Sequence, residues 1–181
     1  MSGLLVYLIG PSGAGKDSVL MAAEPALTEA GVRVAQRTIT RPAGADEDNL
    51  ERSIDDFERS EADGAFALSW QAHGNRYGIG AEIDDWLEAG KTVIVNGSRA
   101  HLPVAATRYG PRLRPVLVTA TVDVLAERLA GRGRESSEQQ RARVARSAEM
   151  ETIDHPGLIV IDNSGRLDDA VTAFVAAVLR P

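Results

Sequence analysis

The sequence predicts an α/β fold in three layers, with helices on both sides of a five-stranded parallel sheet. Three observations carry that expectation. Short apolar runs recur at residues 4–9, 32–35, 93–95, 116–119 and 158–161. Helix-like stretches separate them, over 17–29, 84–89, 98–108, 122–130, 136–151 and 167–179. The runs Val93-Ile94-Val95 and Leu158-Ile159-Val160-Ile161 also lack polar alternation, as strands buried on both faces do. Strands that alternate with helices are joined by crossovers, which makes the sheet parallel and the connections right-handed.

The first apolar run leads straight into Gly10-Pro11-Ser12-Gly13-Ala14-Gly15-Lys16-Asp17-Ser18. The spacing Gly10-x4-Gly15-Lys16 is that of a phosphate-binding P-loop. Its glycines let successive backbone N–H groups turn inward around a phosphate, and its lysine reaches the terminal phosphates. The helix expected from Asp17 onward adds a positive dipole end behind the loop. Residues 10–18 are therefore expected to bind a nucleoside triphosphate. The position after the lysine, where Ser or Thr usually ligates Mg²⁺, holds Asp17, with Ser18 next. Both are hard oxygen donors, so Asp17 and Ser18 stand as alternative metal ligands.

Composition narrows the partners. The 181 residues fit one domain, and 44% hydrophobic with 25% charged content is ordinary for a globular chain. A net charge of −6 argues against a nucleic-acid partner and leaves an anionic substrate to local arginines. There are 18 arginines but only two lysines, Lys16 and Lys91, and one of the two occupies the loop. Cysteine is absent, which removes disulfides and thiolate chemistry and suits a cytoplasmic setting. The first apolar run is too short for a signal-peptide core or a membrane span, so no membrane partner is expected. A homo-oligomer stays open.

Two segments interrupt the β-α rhythm. Residues 37–80 are polar and weakly periodic, with a short strand expected at 66–70; residues 131–137 read G-R-G-R-E-S-S. Both follow element ends on the side where open α/β sheets bind ligands. The expected organisation is a single domain over 1–181. Its core spans 1–36 and 81–181, with an acceptor-binding insertion at 37–80 and a lid at 131–138.

Four strings in order resemble the guanylate-kinase-like branch of the P-loop nucleotide kinases: the loop at 10–16, T-I-T-R-P at 38–42, G-N-R-Y-G at 74–78 and R-L-A-G-R-G-R-E at 128–135. The base-reading position departs from that branch. Six residues before Gly74, where the branch carries an acidic residue that accepts from guanine, the chain has Leu68. Unpaired donors on the base would cost about 1–3 kcal/mol or more. The departures G-K-D-S, T-R-P-A, L-S-W, Y-G-I-G-A-E-I-D and V-N-G-S-R-A-H-L-P resemble the ribose 1,5-bisphosphate phosphokinases of bacterial phosphonate utilisation.

That resemblance implies transfer from ATP, with Mg²⁺, to a phosphorylated sugar, giving ADP and 5-phosphoribosyl 1-diphosphate. A nucleoside monophosphate kinase, another small-molecule kinase and a non-catalytic binding module are the alternatives. An anionic phosphate acceptor needs no general base, so positioning and charge neutralisation would do the chemistry. Lys16 would hold the β- and γ-phosphates, and Arg132 and Arg134 would close over the transferred group. Arg37 and Arg41 would bind acceptor phosphate, Arg41 being the stronger candidate because Arg37 could instead pair on the surface. Tyr77 would donate its hydroxyl. Asn96, Ser98 and Arg99 follow a buried strand and would face the ligand crevice. His101 and Asn163 are each read either as ligand neighbours or as ordinary polar residues, and Trp70 and Trp86 as core.

Overall fold

The computed structural model describes residues 3–44, 48–130 and 153–180. The elements run β1 (Leu4–Ile9), α1 (Lys16–Glu29), β2 (Arg33–Val34), β3 (Arg37–Ile39), β4 (Asn49–Glu51), α2 (Ile54–Ala62), β5 (Phe66–Ala72) and β6 (Asn75–Gly80). There follow α3 (Glu82–Glu88), β7 (Thr92–Asn96), α4 (Leu102–Tyr109), β8 (Leu113–Thr119), α5 (Val122–Ala130), β9 (Ile159–Asp162) and α6 (Leu167–Leu179). The helix expected at 136–151 and the lid expected at 131–138 lie outside the described residues.

The expected five-stranded sheet forms, in the order β2-β7-β1-β8-β9, with β2 parallel to β7 and β8 parallel to β9. Its central strand is apolar because it is covered on both faces: Leu5 through Ile9 are all fully buried. Contacts divide the chain into two compact units, Met1–Tyr7 with Glu24–Arg114, and Leu8–Ala23 with Pro115–Pro181.

Within the first unit, the segment expected as a polar insertion with one strand is a second sheet. Its order is β4-β3-β6-β5, with β3 parallel to β4 and β6 antiparallel to both neighbours. Its strands were hard to see because they are short and carry Arg, Thr, Asn and Gly rather than alternating apolar residues. A two-residue turn joins β5 to β6, and His73 and Gly74 both take positive φ, 50° and 75°, as a type I′ turn requires. One face of this sheet packs on α2, where the Phe57 and Phe66 rings stack at 4.6 Å. Gly78 lies under Phe66; a Cβ there would come within 2.6 Å of the ring.

The stretch 98–108, expected as one helix, is a 3-10 turn over Arg99–His101 followed by α4. Pro103 suits the division: it lacks an N–H and is favoured in a first helical turn, which is where α4 places it. The exit from β7 is fixed by Tyr7 of β1. The Tyr7 hydroxyl donates to the Ser98 carbonyl at 3.2 Å and accepts from the Ser98 N–H at 3.1 Å. Burial raises its pKa to about 12, so it stays a neutral phenol able to serve both groups. Gly97 is required beneath the ring, since a Cβ would sit 2.2 Å from Tyr7 Cζ.

The second unit carries the glycine loop, β8, α5, β9 and α6. Helix α6 is apolar over most of its length and buries Ala170, Phe174, Ala177 and Val178. No helix among the described residues is long and apolar enough to cross a membrane.

Candidate active site

The loop after β1 has the geometry its spacing predicts. Gly13 and Gly15 take φ of 86° and 79°, values that side chains other than glycine rarely adopt. Gly10 is needed for a different reason: a Cβ there would lie 2.3 Å from the Val118 carbonyl oxygen of β8. Helix α1 then begins at Lys16 itself, so its unsatisfied N–H groups and positive end adjoin the loop. The Lys16 Nζ is 3.5 Å from Asp17 Oδ2, and the lysine side chain is 18% exposed, so the ammonium is within reach of a ligand.

Two residues brace this loop: Asn163, expected either beside a ligand or as an ordinary polar residue, and Arg128, for which no role was expected. Asn163, 2% exposed at the end of β9, donates from Nδ2 to the Ala14 carbonyl at 2.8 Å. Its own N–H donates to the Thr119 carbonyl at 2.7 Å, which fixes its position against β8. Arg128 on α5 donates from Nη2 to the Asn163 carbonyl at 2.9 Å, and its Nη1 lies 3.4 Å from the Gly13 and Ala14 carbonyls. The guanidinium thus gathers the carbonyls of Gly13, Ala14 and Asn163, while within the loop the Ala14 N–H donates to the Pro11 carbonyl at 3.1 Å. The signal for Arg128 was present: it opens the string R-L-A-G-R-G-R-E, of which only Arg132 and Arg134 were selected. Those two arginines lie outside the described residues.

Asp17 and Ser18 both fall in the first turn of α1. A carboxylate and a hydroxyl at that point suit a small hard cation. Among the described residues no three His, Cys, Asp or Glu side chains are gathered to hold a metal alone. A magnesium ion held at Asp17 or Ser18 would have the oxygens of a bound triphosphate at hand as further ligands.

The acceptor-side candidates belong to the other unit. Register puts Arg37 and Ile39 of β3, Tyr77 and Ile79 of β6, and Leu68 and Trp70 of β5 on one face of the second sheet. Arg37 is only 7% exposed, on a buried face of the second sheet. Its Nε donates to Asn49 Oδ1 at 3.2 Å, and its guanidinium lies 5.3 Å from the Tyr77 ring centroid. Burying a guanidinium is costly unless such partners replace water. Arg41 takes a separate position: with Thr40, Pro42, Glu51, Arg52 and Ser53 it lines a cavity of about 340 Å³, and its Nη1 donates to the Pro42 carbonyl at 2.8 Å.

Leu68 is 3% exposed and lines a cavity of about 480 Å³ with Ala67, Ser69, His101, Val104, Thr107 and Arg108. Asn96, 8% exposed, ends β7, and Ser98 and Arg99 follow on the backbone pinned by Tyr7. His101 is in the 3-10 turn, stacked on Trp70, and burial lowers its pKa below the usual 6.5. Trp70 and Trp86 are half-buried rather than core, the latter under the Arg33 guanidinium at 5.9 Å.

Known proteins are similar to this chain. A model of the AAA domain family matches residues 6–154. A ribose 1,5-bisphosphate phosphokinase of Burkholderia pseudomallei is 51% identical over 172 residues, covering 95% of this chain and 93% of the relative. A ribose 1,5-bisphosphate phosphokinase of Pseudomonas fluorescens is 51% identical over 177 residues, covering 94% and 92%. Among solved structures, the guanylate kinase of Anaplasma phagocytophilum superposes with a TM-score of 0.71 over 98% of this chain and 85% of its own, at 15% identity, a likeness of fold.

Proposed function

The chain belongs to the ribose 1,5-bisphosphate phosphokinases, with the AAA-domain signature over most of its length, and from that premise we propose that it phosphorylates ribose 1,5-bisphosphate with ATP. The products are ADP and 5-phosphoribosyl 1-diphosphate, and the setting is phosphonate utilisation in the cytoplasm. The observation that carries this reading is the polar and apolar make-up of the second sheet's face. Arg37 and Tyr77 offer it charge and a hydroxyl, while Leu68 stands where a base-reading carboxylate would be needed.

The attacking group is an oxygen of the acceptor's 1-phosphate, already anionic at neutral pH. It forms a bond to the γ-phosphorus of ATP as the bond to the β,γ-bridging oxygen breaks, and the electron pair leaves with ADP. No proton has to be removed, so the protein's work is alignment and charge neutralisation. The loop's available backbone N–H groups (Pro11 has none) and the Lys16 ammonium hold the β- and γ-phosphates, with Arg128 and Asn163 keeping the loop in shape. A magnesium ion held through Asp17 or Ser18 supplies further neutralisation of phosphate charge.

Arg132 and Arg134 carry the role the sequence suggests, offsetting charge on the transferred group. Excluding water there matters because water is a competing acceptor that would waste ATP. Arg37, Arg41 and Tyr77 bind the acceptor's phosphates, and Asn96, Ser98 and Arg99 its remaining polar groups.

Phosphorus NMR of a reaction with ATP, Mg²⁺ and ribose 1,5-bisphosphate tests this reading. A new diphosphate signal at the sugar's first carbon, with little turnover of GMP, is the expected result. Preferred use of GMP by a wide margin would make the chain a nucleotide kinase instead.

A further inference from the structure

Trp70 stacks with two other rings. Its centroid lies 5.6 Å from that of Tyr77, with an interplanar angle of 8°. The His101 imidazole also stacks on Trp70, 5.5 Å away at 26°. Beyond Tyr77 comes the Arg37 guanidinium, 5.3 Å from that ring's centroid. Four flat groups thus form a column from β3 across β6 and β5 to the turn after β7. The spacings are those of stacked aromatic pairs, about 4.5–7 Å.

Strand pairing accounts for only half of the column. Trp70 and Tyr77 are direct cross-strand partners, so register itself brings these two rings together. The second stacked ring comes from outside the sheet, from the 3-10 turn. His101 also has its Nε2 buried with no hydrogen-bond partner among the described residues, so stacking on Trp70 is the contact that engages this ring. An indole is a fused five- and six-membered bicycle, which is the outline of a purine. A gap between two rings is what binds a base without reading it.

We propose that Trp70 is a built-in occupant of a base-stacking slot between Tyr77 and His101, and that its presence there makes purine nucleotides poor acceptors. The inference rests on the acceptor reading of Arg37 and Tyr77 above. Leu68, on the same face of β5, adds an apolar wall. A purine is thereby denied twice: it has no gap to stack in and no carboxylate to pair with.

The test is Trp70→Ala in the full chain, with Trp70→Phe as the partner variant. Calorimetry with indole and with GMP reads the slot directly, and kcat/KM for GMP and for ribose 1,5-bisphosphate reads selectivity. Trp70→Ala should bind indole where the parent does not. Its GMP-to-sugar selectivity ratio should rise roughly tenfold or more, the size of one base-stacking contact. Added indole should restore the parent ratio, and Trp70→Phe should keep it.

A folded Trp70→Ala that binds neither indole nor GMP and keeps the parent ratio overturns the proposal. If that variant does not fold, Trp70→Leu against Trp70→Phe decides: purine use gained only with leucine supports the slot, and equal ratios overturn it. Should the parent fail to use ribose 1,5-bisphosphate while Trp70→Ala still captures indole, the assigned reaction is at fault and the slot stands.

Discussion

Around the glycine loop the groups that matter are peptide groups, whereas on the face of the second sheet they are side chains. The loop's shape comes from two positive φ values and a close approach of Gly10 to the Val118 carbonyl, and its braces, Asn163 and Arg128, grip carbonyl oxygens. The sheet face is a set of alternate side chains from three strands, sorted by register. The difference teaches where each region is tolerant. Backbone recognition admits few substitutions because the atoms involved cannot be swapped, while side-chain recognition can be retuned one residue at a time.

Lys16 is the loop's main side-chain contribution, and its loss should be the largest effect. Lys16→Ala is expected to lower kcat by about 10³-fold with an unchanged melting temperature, measured by ADP release and by calorimetry. A near-normal rate would shift the burden wholly to the loop amides.

Two glycines sharpen the contrast in stability. At Gly10 an added methyl meets a backbone carbonyl at 2.3 Å, and at Gly78 it meets the Phe66 ring at 2.6 Å. Gly10→Ala should cost about 3 kcal/mol and Gly78→Ala about 1 kcal/mol in urea unfolding, because a ring can tilt and a ladder carbonyl cannot. Equal costs would erase the distinction between the regions.

Removal of one arginine from each region should separate the substrates. Arg41→Ala should raise the acceptor KM roughly tenfold and leave that of ATP alone, while Arg128→Ala should raise the ATP KM about fivefold and spare the acceptor. Steady-state kinetics with each substrate varied in turn reads both.

The smallest effect is a pH slope. Burial lowers the pKa of His101 from 6.5, so the folded chain disfavours its cation. The unfolded chain then binds the extra proton first, and stability present above about pH 6.5 is lost as pH falls toward the folded pKa. Denaturant unfolding between pH 7.5 and 5.5 should show a shallower decline in His101→Gln than in the parent.

Legibility followed the same division. Strand β1 and the loop after it could be read to the residue, because a buried central strand is all apolar and the loop's glycines answer to backbone geometry. Helices α5 and α6 also began and ended where the pattern put them. The second sheet was largely hidden. Arg37, Thr38 and Asn49 carry no strand-like alternation, and it is pairing with β6 that makes β3 a strand. The burial of Arg37, the stack on Trp70 and the grip of Arg128 on the loop depend on partners distant in sequence, which spacing does not encode. Leu68 was readable as a missing carboxylate; the indole two residues on needed the register.

Gly97 and Tyr7 sit 90 positions apart in the chain, yet neither can drift by itself. A lineage that enlarged the glycine would first have to give up the phenol, and one that lost the phenol would orphan the peptide at Ser98. The two sites therefore form a ratchet on divergence: any redesign of the turn leaving β7 has to begin with a change in a different strand.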